Sequence, residues 1–253
     1  MAVLLILVDG MRPDSLRYSG TAQEILPETV YSMEAVTVYP SITLPCHVSL
    51  VTSMDPREHG TVTNSFTPWP ESVNGLFEVL REAGKKTGFF FNWEELRDIS
   101  KPGSVAQTAY FRPDAFPDGG CNERAMEEAE KFWLTEKPDF VFLYLGNPDY
   151  VGHAYGWMSE EYLASVEASW RRIRRMMKVL GPDDDLIVTA DHGGHGTEHG
   201  SKMKEDMTIP LILKTGRNVK TIGKRASILD IAPTVTQMLG VAPDPFWKGR
   251  SLV

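Results

Sequence analysis

Asp9, Asp149, His153, Asp191, His192 and His199 are the residue types that hold divalent cations, and their placement points to a shared site. Asp9 follows an apolar run in Val8-Asp9-Gly10, and Asp149 and His153 follow another in Asn147-Pro148-Asp149-Tyr150-Val151-Gly152-His153. Asp191 and His192 follow a third, with His199 seven residues after His192, in a glycine-rich stretch that lets several ligands converge. Three carboxylates and three imidazoles suit a pair of borderline divalent cations, zinc first and manganese second. Two dications outweigh three carboxylates, so the site would be a local positive centre that attracts anions. His195, the third histidine of the cluster, fits three roles: replacing His199 as a ligand, touching a leaving group, or capping the loop.

Metal-assisted chemistry needs a nucleophile, and the segment from Tyr39 to Ser53 offers several. A hydroxyl at a helix N-terminus, beside a metal, loses its proton near neutral pH and sits where backbone N–H groups receive an anion. Thr43 fits that place because Pro45 is tolerated in a first helical turn. Composition does not choose Thr43 over Ser41 or Cys46.

The elements that must position these residues alternate between strand and helix, the pattern of an α/β protein with a largely parallel sheet and helices on both faces. Strands are expected at Val3 to Val8, Thr87 to Phe91, Phe140 to Leu145, Leu186 to Ala190 and Ile209 to Leu213, each a short apolar run. If so, every acid stands at the carboxyl end of a strand, where open α/β sheets build their sites. Helices are expected at Ser72 to Ala83, Asn122 to Trp133 and Asp230 to Leu239, and one following Ser159 that runs to Leu180 before Gly181. The segment around Pro148 and Gly152 reads as a plain turn. Arg171, Arg172, Arg174 and Arg175 read as a solvated helix face. Ile99 to Cys121 is rich in Pro, Gly and polar residues, a small lid-like excursion within 92–121 of a single catalytic domain over 1–253.

The 253 residues carry 26 Lys and Arg against 34 Asp and Glu, a net charge of −8, which argues against coating nucleic acid or a membrane surface. Met1 to Val8 is too short to span a bilayer and lacks a basic leader, so a cytoplasmic location is expected. Only Cys46 and Cys121 are present, which excludes a disulfide framework and a cysteine metal site.

Taken together, Val8-Asp9-Gly10, Tyr39-Pro40 through His47, Asp55 through Gly60, Asn64, Asn147 through Gly156, Asp191-His192-Gly193 and His199-Gly200 resemble the alkaline phosphatase superfamily. Within it, the sequence looks like the type I phosphodiesterase and nucleotide pyrophosphatase branch. The tail, Asp230 through Gly240 and Gly249 through Leu252, resembles that superfamily's closing segment. The resemblance implies an alkaline-phosphatase-like core, Thr43 as nucleophile, and Asn64 holding a non-bridging phosphate oxygen. It also implies one metal held by Asp9, Asp191 and His192 and touching Thr43, and a second held by Asp149, His153 and His199, with His199 preferred over His195. The reaction implied is hydrolysis of small-molecule phosphate diesters or pyrophosphates through a phosphothreonine. Sulfatase chemistry is disfavoured, since Thr43 and His47 stand where sulfatases have Cys and Arg. No Arg lies beside Thr43 to clamp a dianion, which favours diesters. A phosphomonoesterase, a phosphonate hydrolase, a phospho-transferase and a non-catalytic metal-binding homologue are the alternatives. Phe66 and Trp69 could stack a base or sit in the core, and His47 and His59 read as structural.

Overall fold

The computed structural model describes residues 1–113, 120–219, 221–223 and 226–253. A seven-stranded sheet forms the centre, in the order β2-β7-β6-β1-β5-β3-β4. Its strands are β1 (Val3–Val8), β2 (Val30–Val36), β3 (Thr87–Phe91), β4 (Gln107–Tyr110), β5 (Phe140–Leu145), β6 (Asp185–Thr189) and β7 (Thr208–Lys214). The helices are α1 (Gly20–Ile25), α2 (Thr43–Thr52), α3 (Pro56–His59), α4 (Leu76–Glu82), α5 (Gly120–Glu136), α6 (Asn147–Tyr155), α7 (Glu160–Met177), α8 (Lys204–Met207) and α9 (Ile231–Met238).

β1 is flanked in parallel by β5 and β6, and β3 runs parallel to β5 and β4. β7 is antiparallel to both β6 and β2. Every residue of β1, β3, β5 and β6 is buried, which is why each reads as an unbroken apolar run in the sequence. β2 and β4 were not expected. They are the two edges of the sheet, they alternate exposed with half-buried residues, and β2 carries a register shift between Ser32 and Ala35.

Helices cover both faces, as the aromatic contacts of β3 show. Phe89 meets Phe77 of α4 with ring centroids 5.2 Å apart, while its neighbour Phe90 meets Phe132 of α5 at 5.6 Å. Successive strand residues point to opposite faces, so α4 and α5 lie on opposite sides. α7 begins at an N-cap, Ser159, whose hydroxyl accepts the Tyr162 N–H, and it buries Val166, Trp170 and Ile173. Its arginines are all paired: Arg171 with Glu167, Arg172 and Arg175 with Glu123, Arg174 with Glu24, and Arg175 also with Glu130. They form an ion-paired outer face of the helix.

The segment around Pro148 is a helix, α6, where the sequence reads as a turn. Proline in the first helical turn costs no hydrogen bond, because that N–H would be unpaired in any case. Gly152 is needed in α6 because a Cβ there would come within 2.7 Å of the Trp157 indole. Within 92–121 the described residues form a 3₁₀ turn, Glu94–Ile99, and edge strand β4; residues 114–119 of the expected excursion lie outside the described residues. Among the described residues no helix is long and apolar enough to cross a membrane.

Candidate active site

The three central strands β1, β5 and β6 each deliver one carboxylate just past their carboxyl ends: Asp9, Asp149 and Asp191. Gly10 takes a positive φ of 66° and lies so close to α6 that a Cβ would meet the Asp149 Cα at 3.2 Å. Its N–H donates to Asp191 Oδ1 at 3.2 Å. This one glycine therefore draws the three strand ends together.

α6 places Asp149 in its first turn and His153 one turn later, with His153 Nε2 3.5 Å from Asp149 Oδ2. His199 Nε2 approaches the other oxygen, Asp149 Oδ1, at 3.6 Å. His192 Nε2 lies 3.3 Å from both Asp9 Oδ1 and Asp191 Oδ2. Two sets of ligand atoms lie within 4.8 Å of one another: Asp149, His153 and His199, and Asp9, Asp149 and His192. Asp149 belongs to both, and so stands between the two groups.

The three histidines present Nε2 for the same reason. His153 Nδ1 donates to the Thr197 carbonyl, His192 Nδ1 to the Gly193 carbonyl and His199 Nδ1 to the Ser41 carbonyl, each at 2.8 Å. A carbonyl can only accept, so Nδ1 carries the proton and Nε2 keeps its lone pair for a cation.

Three buried oxygens, Asp9 Oδ1, Asp149 Oδ1 and Asp191 Oδ2, have no hydrogen-bond partner. Burial raises Asp9 well above the carboxylate range, and the charges of Asp191 and Asp149 add to the rise. Asp149 is raised by burial against the pull of His199 and His153, and burial pushes Asp191 up to about 7. Carboxylates crowded this way resist ionising together unless a cation compensates them, and orphaned oxygens beside lone-pair-bearing imidazoles are the donor set that divalent cations take. The residues present therefore fit the metals that the sequence resemblance implies.

Thr43 is the first residue of α2, where Ile42 provides no side-chain cap. The first-turn N–H of Leu44 donates to Asn64 Oδ1 at 3.1 Å, which turns the Asn64 amide toward the helix N-terminus. Thr43 Oγ1 lies 3.1 Å from His192 Nε2, so the hydroxyl reaches the Asp9 group. Ser41 and Cys46 are otherwise engaged: Ser41 Oγ donates to the Ser201 carbonyl, and Cys46 is buried against Thr37. His195 joins neither ligand group; its Nδ1 is 2.7 Å from Asp206 Oδ1.

His47 stands at the edge of the cluster, its Nδ1 3.6 Å from Asp191 Oδ2, and the remaining candidates fall outside it. His47 Nδ1 donates to the Thr43 carbonyl at 2.8 Å, and its ring packs edge-on to Tyr144. Trp69 is buried with its indole N–H on the Val73 carbonyl, while Phe66 is half-buried beside it. Both line a cavity of about 660 Å³ together with Arg97, Lys101 and Val105, which contains none of the cluster residues. Sequence reasoning missed Tyr144, whose hydroxyl donates to Asp9 Oδ2. It lies in an otherwise apolar strand, and the only trace of its role is a polar group at the strand's carboxyl end.

His59 is a buried imidazole that accepts the Thr61 N–H at Nδ1 and reaches Ser49 Oγ from Nε2 at 3.0 Å, and burial lowers it to about 4. A histidine depressed in the folded state leaves stability intact above its unfolded value, near 6.5. Stability then falls with pH until the folded value is passed. Between pH 7.5 and 5 this group should cost the fold about 2 kcal/mol. Urea midpoints for the wild type and His59→Asn at both pH values check this; parallel pH dependences would refute it.

A family model described as type I phosphodiesterase / nucleotide pyrophosphatase matches residues 3–234. Ectonucleotide pyrophosphatase/phosphodiesterase family member 1 of Mus musculus is 28% identical over 246 residues, covering 87% of this chain and 26% of the relative. The chain thus spans about a quarter of that relative's length. Among solved structures, murine ectonucleotide pyrophosphatase / phosphodiesterase 5 superposes with a TM-score of 0.81 at 16% identity, covering 97% of this chain and 96% of the other. A second structure of that protein is an inactive threonine-to-alanine variant in complex with AMP. The phosphonate monoester hydrolase of Agrobacterium radiobacter gives a TM-score of 0.71 at 17% identity, covering 99% of this chain and 76% of the other. Because the family match runs from the start of β1 into α9, across every element that carries a site residue, the chain belongs to the type I phosphodiesterase / nucleotide pyrophosphatase family.

Proposed function

We propose that the chain hydrolyses small-molecule phosphate diesters or pyrophosphates, nucleotides among them, through a phosphothreonine on Thr43. The observation that carries this reading is the Thr43 hydroxyl at the N-terminus of α2, 3.1 Å from His192 Nε2, which itself lies 3.3 Å from the orphaned oxygens of Asp9 and Asp191. Asp9, Asp191 and His192 would hold one divalent cation and Asp149, His153 and His199 a second, with Asp149 also within reach of the first because its carboxylate groups with Asp9 and His192. When bound, such ions, zinc first and manganese second, lower the pKa of a neighbouring hydroxyl and neutralise charge on phosphoryl and leaving oxygens.

The chain's own groups then divide the work. Thr43 Oγ1, its proton released to solvent, forms the new bond to phosphorus as the bond to the leaving oxygen breaks and that oxygen takes up a proton; a water then bonds to phosphorus, losing a proton, as the Thr43 Oγ1–phosphorus bond breaks and the hydroxyl regains its own. The Asn64 amide, held by Leu44 N–H through its oxygen, keeps its NH₂ free to donate to a non-bridging oxygen. The α2 N-terminus adds its dipole to that anion site.

Arg12 is occupied by Asp14 and the Gly194 carbonyl, and none of the residues beside Thr43 is an arginine. A singly charged diester needs less clamping than a dianionic monoester. The murine relative whose inactive threonine-to-alanine variant was solved with AMP is in keeping with a threonine nucleophile and with a nucleoside monophosphate as one product. The likeness to a phosphonate monoester hydrolase keeps phosphonate esters as a second reading for the same site. Rates for bis(p-nitrophenyl) phosphate, p-nitrophenyl phosphate and p-nitrophenyl phenylphosphonate, on zinc- and manganese-loaded protein, test the proposal. Diester turnover should exceed monoester turnover at least about tenfold, a difference of about 1.4 kcal/mol in barrier. A faster monoester overturns it.

A further inference from the structure

The ten residues from Asp191 to Gly200 include Gly193, Gly194, Gly196 and Gly200, yet His192 and His199 at its two ends stack with ring centroids 3.7 Å apart and planes 11° apart. Ordering one residue costs roughly 1–2 kcal/mol, more for glycine, so a loop this rich in glycine needs fixed anchors to hold two imidazoles in register. One residue outside the loop supplies three of them. Asp206 lies in the single turn α8, and its side chain is fully buried. Its Oδ1 takes the His195 Nδ1–H at 2.7 Å, its Oδ2 takes the Ser201 N–H at 2.8 Å, and its backbone carbonyl takes the Gly193 N–H at 2.9 Å.

These anchors bracket both ligating histidines. Gly193 directly follows His192 and is pressed so closely on α8 that a Cβ would lie 2.0 Å from the Glu205 carbonyl oxygen. Ser201 lies two residues after His199, and its carbonyl accepts Ser41 Oγ at 2.9 Å, while the Ser41 carbonyl accepts His199 Nδ1 at 2.8 Å. The same chain of bonds thus runs from Asp206 through Ser201 and Ser41 to His199, and Ser41 lies two residues before Thr43. Between the anchors, His195 and Glu198 close a tight hairpin by exchanging two backbone hydrogen bonds of 2.9 Å. The Thr197 carbonyl of that hairpin holds His153 Nδ1.

We infer that Asp206 is a positioning residue which, through His195, Gly193 and Ser201, sets the spacing of His192 and His199 and with it the affinity of the site for divalent cations. His195 thereby acquires a role that its sequence position left open: it is the lever by which Asp206 grips the hairpin. The inference rests on the metal reading of the site, and not on which ester is cleaved.

Asp206→Asn is the sharpest test. The amide keeps an acceptor for the Ser201 N–H, turns a donor toward His195 Nδ1 and removes the negative charge that strengthens both bonds, so both side-chain anchors are weakened without a change of size. Zinc affinity, measured by competition with a chromophoric chelator, should weaken about 10–100-fold, the usual effect of removing a group that orients a metal ligand. His195→Ala, which removes one anchor, should show a smaller loss. A role in folding alone would lower the urea midpoint in EDTA and leave zinc affinity within twofold of wild type, and that result overturns the inference. If Asp206→Asn does not fold, unchanged zinc affinity in folded His195→Ala overturns it instead. Wild-type protein that takes up no zinc overturns the metal reading and this inference together. Tight zinc binding without ester hydrolysis, with the Asp206→Asn loss intact, supports the inference and sinks only the proposed activity.

Discussion

Thr43→Ala should reduce turnover of every phosphate ester by at least about 10³-fold while leaving metal content at the wild-type level. The hydroxyl supplies no carboxylate or imidazole to the cluster, whose charged donors come from Asp9, Asp149, His153, Asp191, His192 and His199. Removing it takes away the attacking atom and spares the acids that attract the cations. Thr43→Ser keeps an oxygen at the same helix N-terminus and should retain measurable activity. The serine loses the methyl group that restricts the side chain's rotamers, so a fall of about tenfold is expected. Intact-mass measurement after acid quenching would show the phosphorylated chain in wild type and its absence in the alanine variant. Full activity in Thr43→Ala would remove the nucleophile assignment.

Asp149→Asn carries the second large effect, and its sign reverses with metal. Asp149 is the one residue common to both ligand groups, with one oxygen 3.5 Å from His153 Nε2 and the other 3.6 Å from His199 Nε2. Its loss should lower bound metal from about two ions per chain to fewer than one by elemental analysis, with activity down by at least about 10³-fold. His153→Ala, which touches one group only, should spare more of both.

Without metal the same substitution should stabilise the fold. Burial makes an ionised Asp149 costly, its charge in turn raises Asp9 and Asp191, and the amide removes both penalties. A gain of about 1 kcal/mol would raise the melting temperature in EDTA by roughly 2–4 °C. In excess zinc the order should invert, because only wild type gains the free energy of binding two ions. A variant that holds two metals per chain, or that melts below wild type in EDTA, contradicts the assignment.

How far the sequence disclosed this arrangement depended on the range of the signal. β1, β3 and β5 were legible to the residue, because a strand covered on both faces must be apolar throughout. β2 and β4 were not, because edge strands mix exposed with covered residues and resemble loops. α6 was hidden by Pro148 and Gly152, which mark turns by local rules; here one sits harmlessly in a first turn and the other yields space to Trp157. The acids and imidazoles of the cluster could be named from type and position, and the structure gathers all six together, with Thr43 meeting them through His192. The sharing of Asp149 between the groups was not visible, since it depends on the approach of Gly10 to α6 across distant parts of the chain. The partners Tyr144 and Asp206 were invisible for the same reason: a buried hydroxyl and a buried carboxylate acquire meaning only from what the fold sets against them.

Adjacent strands in a sheet lie about 4.8 Å apart, an interval fixed by the peptide hydrogen bond. Asp9 and Asp191 stand just past the ends of β1 and β6, and Asp149 in the first turn of the helix that leaves β5, so the rungs of the backbone ladder set the frame in which their charges are spaced. The separation of the two proposed cation positions would in this sense be a property of polypeptide geometry. Surface loops around it can lengthen, shorten or be exchanged without resetting that ruler, which frees substrate choice to diverge while the reaction centre keeps its dimensions.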